Sequence, residues 1–144
     1  MCGIAGLIHK GKTVNIGKEL QDMLQALKHR GPDSTGFALY GEGNHGGDYI
    51  LRFKVGENVK EGSSAVNEDK SVYDSRRKQV DKHIRDLGAD IVNDQQLTPY
   101  SFRYVIKYDK DLMEFSKKIE SVEMTEILSL GKSLELVKDI GDAG

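Results

Sequence analysis

The sequence predicts an α+β chain made of two parts. Residues 1–55 form a short N-terminal part, 56–70 a link, 71–138 a second α+β unit to which the strand at 49–55 can be added, and 139–144 a tail. Three observations carry this. Apolar residues recur at helical spacing over 16–28, they alternate strictly over 100–108, and the order of patterns across 49–138 is β, α, β, α, β.

The elements follow from residue types. Gly3-Ile4-Ala5-Gly6-Leu7-Ile8 is apolar with small residues interleaved, which predicts a buried strand. Ile16, Leu20, Met23, Leu24 and Leu27 make one helical stripe, with Asn15 as N-cap and Gly31-Pro32 as the stop. His29-Arg30-Gly31-Pro32-Asp33-Ser34-Thr35-Gly36 is a polar turn, and Phe37–Tyr40 a short strand. The glycines from Gly41 to Gly47 contain a formal G-x-G-x-x-G. A phosphate cradle should open a helix, whereas Tyr49–Val55 alternates as a strand, so the glycines predict a hairpin turn.

Residues 56–70 have loop composition. Ser71 and Asp74 suggest a capping box for a helix whose inner face is Tyr73, Val80, Ile84 and Leu87, stopped at Gly88. Arg76, Arg77, Lys78, Lys82 and Arg85 read as its solvated face. Ile91-Val92 is a weak strand, and Phe102, Tyr104, Ile106 and Tyr108 line one face of a better one. Asp109 caps a helix with Leu112, Phe115 and Ile119 inward. Thr125–Leu130 is a strand, which Leu134–Val137 continues past a Gly131-Lys132 turn. The second unit is thus a split βαβ, or ferredoxin-like, arrangement, which names no function by itself.

Composition narrows the class. The chain has 144 residues, 38% hydrophobic, with 21 basic against 23 acidic residues and a net charge of −2. No basic excess steers it to nucleic acid or to an acidic membrane. No apolar run approaches the roughly 20 residues that span a bilayer, and no signal-peptide core is present. One cysteine excludes an internal disulfide and a multi-Cys zinc site. The expectation is a soluble, cytoplasmic chain with no metal and no cofactor.

That cysteine is residue 2. Removal of Met1, favoured when the next residue is small, leaves Cys2 with a free α-amine beside its own thiol. An α-amine of pKa about 7.7–8.0 is partly neutral near pH 7. It can take the thiol proton directly or through a water, so one residue carries both nucleophile and base. The alternative is an ordinary buried cysteine without chemistry.

Cys-Gly-Ile-Ala-Gly at 2–6, a helix, then His-Arg-Gly-Pro-Asp-Ser-Thr-Gly at 29–36 resembles the class II glutamine amidotransferases, the N-terminal-nucleophile (Ntn) hydrolases of the αββα sandwich type. Within that family the likeness is strongest to the glutamate synthase amidotransferase subunits. The resemblance is specific at 2–8 and 29–39 and looser elsewhere. It implies that residues 1–55 are the N-terminal part of an Ntn sandwich, and that the ferredoxin-like unit is an insertion. It implies Cys2 as the nucleophile toward glutamine, with Arg30, Gly31 and Asp33 as substrate-binding or site-supporting residues.

The family's later motifs, His-Thr-Arg-x-Ala-Thr for the substrate carboxylate and His-Asn-Gly for the oxyanion hole, are not in this sequence. Loss of one oxyanion donor costs on the order of 10²–10³ in rate. The expectation is therefore the N-terminal portion of a glutaminase, releasing ammonia for glutamate synthesis and incomplete alone. Its partners would be glutamine and a chain that completes the domain or a synthase subunit, or else a second copy in a homodimer. Two alternatives stay open: a non-catalytic binding or regulatory module, and an amidotransferase with another acceptor, of the amidophosphoribosyltransferase or asparagine synthetase type.

Overall fold

The computed structural model of the protein describes residues 3–11, 15–30, 34–41, 46–57 and 69–140. It is a mixed α+β structure. The chain divides into two compact units, residues 1–36 with 138–144, and residues 37–137.

In the first unit, α1 (Ile16–Ala26) begins where the sequence places it. The Asn15 side chain accepts a hydrogen bond from the Lys18 amide at 3.1 Å, meeting one of the four donors a helix start leaves unpaired. A 3₁₀ turn, Lys28–Arg30, follows. The expected stop at Gly31-Pro32 lies outside the described residues. Residues 3–8 are expected as a buried strand and are not one. Their exposure does alternate, but Ile4 and Ile8 are each 92% exposed, and no ladder partner flanks the segment among the described residues. Apolar sequence prepares a strand, but only a neighbouring strand makes one.

Two further strands are β1 (Ser34–Tyr40) and β2 (Tyr49–Lys54). The second unit continues with α2 (Lys70–Asp86), β3 (Asp90–Gln96), β4 (Ser101–Lys107), α3 (Leu112–Ile119) and β5 (Glu126–Gly131), and β6 (Leu134–Ile140) ends the described chain. From β2 to β5 the order is β-α-β-β-α-β. The four strands form one antiparallel sheet in the order β3-β4-β2-β5. β1 and β6 pair in a separate two-stranded sheet, and the boundary between the units falls within both strands. The strands flanking the glycine stretch therefore lie in different sheets, and the expected hairpin is absent. Likewise β6 pairs with β1 and does not double back on β5.

One face of the four-stranded sheet builds the core. Leu51 and Phe53 of β2, Phe102, Tyr104 and Ile106 of β4, Val80 and Ile84 of α2, and Phe115 and Ile119 of α3 are all buried together. The register sets Phe53 opposite Phe102, and their rings stack at 5.2 Å. Each such side chain contributes roughly 1.5–3 kcal/mol on burial. β4 shows the alternation its sequence announces, with every second residue buried. β3 runs further than Ile91-Val92 and carries a bulge between Ile91 and Asn93.

Both helix starts in this unit sit away from the expected caps. Asp69, not a Ser71/Asp74 box, caps α2 by accepting from the Ser71 amide at 3.3 Å. Asp111, not Asp109, caps α3 by accepting from the Met113 amide at 2.8 Å. Gly88 ends the α2 region with φ +80°, a left-handed conformation natural to glycine.

The expected solvated face of α2 is partly a correction too. Arg76 is 6% exposed and donates from Nη1 to the Val55 carbonyl at 3.0 Å. Arg77 donates from Nε to the Tyr104 hydroxyl at 2.8 Å, lies over the Phe102 ring, and pairs with Asp94.

Candidate functional site

Of the residues singled out by sequence, Cys2, Gly31 and Asp33 lie outside the described residues. Arg30 is described. It closes the 3₁₀ turn, its amide donating to the Leu27 carbonyl at 2.8 Å, and its side chain is exposed. The structure brings one neighbour of Cys2 to it. A Cβ built on Gly3 would lie 3.2 Å from Leu27 Cβ and 3.4 Å from Arg30 Cβ.

The local sequence explains why these pieces meet. The α1 stripe leaves Leu20, Leu24 and Leu27 half-buried, so an apolar segment with small residues can lie along it. Gly3 sits at the C-terminal end of α1. Six residues on, His9 Nε2 lies 2.8 Å from Glu19 Oε2, in the first turn of the same helix. Segment 3–9 therefore runs antiparallel to α1 and is fastened near both ends. Sequence reading missed the His9–Glu19 pair because neither residue belongs to a motif; only the antiparallel course joins them.

A second cluster of charge lies in the other unit, on the sheet face away from the helices. Arg52 and Arg103 are directly opposite in the β2–β4 register. Glu135 of β6 accepts from both: Arg103 donates from Nε and Nη2 at 2.9 Å each, and Arg52 from Nε. The two guanidinium groups hold the Glu135 carboxyl below its ordinary range, the Arg103 hydrogen bonds chief among the causes. Beside it, Lys54 Nζ lies 2.8 Å from Glu57 and 3.0 Å from Glu126. Every charge in this cluster has a partner within the unit, which reads as structural pairing. Among the described residues no group of His, Cys, Asp and Glu is arranged to hold a metal ion. Among them too, no helix is long and apolar enough to cross a membrane.

Comparison with known proteins bears on the family. The chain is 32% identical over 145 aligned positions, covering 98% of it, to a protein of Methanothermobacter thermautotrophicus named "Putative glutamine amidotransferase". It is 38% identical over 78 residues to a Methanocaldococcus jannaschii protein named "Putative asparagine synthetase [glutamine-hydrolyzing] 2". It is 46% identical over 48 residues to the glutamine amidotransferase-like protein GlxB of Rhizobium meliloti. These relatives support a glutamine amidotransferase family. The chain spans 44% of the length of the first, 15% of the second and 16% of the third. No family model matches the chain, and no solved structure matches it.

Proposed function

We propose that the chain is the N-terminal portion of a class II glutamine amidotransferase, with Cys2 as its nucleophile. The observation that carries this reading is the likeness to the Methanothermobacter protein across 98% of the chain. The packing of Gly3 against Arg30 supports it, because it draws the segment after Cys2 to the one described residue among Arg30, Gly31 and Asp33. The β-α-β-β-α-β order with sheet order β3-β4-β2-β5 supports the ferredoxin-like unit of this reading.

In the proposed chemistry the α-amine of Cys2 takes the thiol proton. The thiolate attacks the side-chain amide carbon of glutamine, forming a C–S bond and a tetrahedral oxyanion. Collapse breaks the C–N bond, and the amine's proton leaves with ammonia. Water then cleaves the thioester, releasing glutamate and restoring the thiol. Arg30, Gly31 and Asp33 support the nucleophile or the substrate. The oxyanion donors and the substrate clamps come from further sequence, on the same chain or on a second one. The ammonia is used for glutamate synthesis; the asparagine synthetase relative keeps another acceptor, of the asparagine synthetase type, as the other reading.

Mass spectrometry and an ammonia assay test this. Met1 is expected to be absent. Cys2-dependent ammonia release is expected when the remainder of the Methanothermobacter protein is supplied in trans, and is expected to be abolished by Cys2→Ala. Retention of Met1, or release indifferent to Cys2→Ala, overturns the reading.

A further inference from the structure

We propose that Gly3 is a positioning residue for Cys2, set by its contact with the C-terminal end of α1. This rests on the reading of Cys2 as nucleophile and adds the contact that places it. Three observations carry it. Gly3 approaches Leu27 and Arg30 so closely that a methyl group would lie 3.2 Å from one Cβ and 3.4 Å from the other. Leu27 is held on both sides: its amide donates to the Leu24 carbonyl at 3.0 Å, and its carbonyl accepts from the Arg30 amide at 2.8 Å. It has little freedom to retreat, so an added methyl displaces residue 3 instead. Cys2 is joined to Gly3 by a single peptide bond, so a shift at residue 3 passes to the nucleophile.

Gly6 supplies the control. It lies on the same segment, and a Cβ there meets nothing within 4 Å. Loss of glycine flexibility affects both positions, whereas the contact exists only at Gly3.

The test is alkylation of Cys2 by iodoacetamide, followed from about pH 6 to 9 across the thiol's titration range. Native chain is compared with the same chain in urea. The wild-type native rate is expected to differ from the urea rate, because the fold sets the thiol's surroundings. Gly3→Ala is expected to move the native rate at least about threefold toward the urea value, a small share of what a displaced reacting group can lose. Gly6→Ala leaves it unchanged. Leu27→Gly removes the Leu27 Cβ, the nearer of the two atoms that crowd position 3. Gly3→Ala made in that background is expected to restore the wild-type profile, and it carries the comparison if Gly3→Ala alone fails to fold. Identical native profiles for the wild type and a folded Gly3→Ala chain overturn the proposal. So does an equal response to Gly6→Ala, and so does a wild-type native rate equal to that in urea. A glutamine-like diazoketone separates the two levels of inference. Failure of that reagent to label Cys2 in the completed protein, with the iodoacetamide pattern intact, removes the glutaminase reading and leaves the positioning role standing.

Discussion

Replacing Glu135 by alanine should expose how much the β2, β4 and β6 strands depend on one carboxylate. The register sets Arg52 against Arg103, and like charges directly opposite repel. Glu135 converts that repulsion into three hydrogen bonds. The side chains are only 12%, 24% and 16% exposed for Arg52, Arg103 and Glu135, so water screens them little. Removing one partner of a fully buried pair costs roughly 3–5 kcal/mol. The residual exposure brings Glu135→Ala below that range, to about 2–3 kcal/mol, against a median of about 0–1 kcal/mol for surface pairs. At roughly 2–4 °C per kcal/mol the melting temperature should fall by about 4–12 °C. Urea unfolding followed by far-UV circular dichroism measures this directly, with an unchanged m-value as the check on two-state behaviour. The sign with pH follows from the lowered carboxyl. Its contribution is complete above the unfolded-state value of about 4.3 and is lost as pH falls through the lower folded value. Glu135→Gln should flatten that acid limb. A loss below about 0.5 kcal/mol, with the acid limb unchanged, would show that the cluster acts as an ordinary surface pair.

Other substitutions test the packing and the caps. Gly56→Ala places a Cβ 2.5 Å from the buried Tyr73 ring, so urea unfolding should show a loss of about 1–3 kcal/mol. Asp111→Ala removes the acceptor for the Met113 and Glu114 amides and should cost about 1 kcal/mol, read as a lower urea midpoint. Burial first, then donation of its hydroxyl to Asp81, pushes the Tyr104 phenol well above its ordinary range. Its neutral form is thus favoured by folding, so stability should fall as pH rises through the unfolded value of about 10. Ultraviolet titration should find one tyrosine that ionises only on unfolding, and Tyr104→Phe should remove it.

The legible parts of this chain were those where one residue type admits one reading. The β4 pattern gave its strand and its inward face, and Asn15 gave the start of α1, because alternation and a capping amide are local properties. Arg76 was misread from its charge. Its spacing, three after Tyr73 and four before Val80, puts it on the core stripe, where a guanidinium serves the Val55 carbonyl. The β1–β6 pairing could not be read because nothing local chooses between a nearby and a distant partner, and the glycines between β1 and β2 looked like a hairpin for that reason. Asp109 and Asp111 are two residues apart and chemically identical, so only backbone geometry selects the cap. At the candidate site, the motifs named Cys2, Arg30, Gly31 and Asp33, while the closeness of Gly3 to Leu27 and Arg30 depends on the antiparallel course of segment 3–9.

β2 has a consequence for how this chain can change over generations. It lies inside the sheet, and its Ile50, Leu51, Phe53 and Lys54 are all buried, with no alternation. Lys54, 6% exposed, is held between two carboxylates. A strand such as β4 has a more permissive side on which mutations can accumulate, apart from Arg103 with its bonds to Glu135. β2 has none, so a saturation-mutagenesis profile should show tolerance rising and falling every second residue along β4 and staying uniformly low along β2. Lineages of this unit should therefore diverge first in β3 and last in β2.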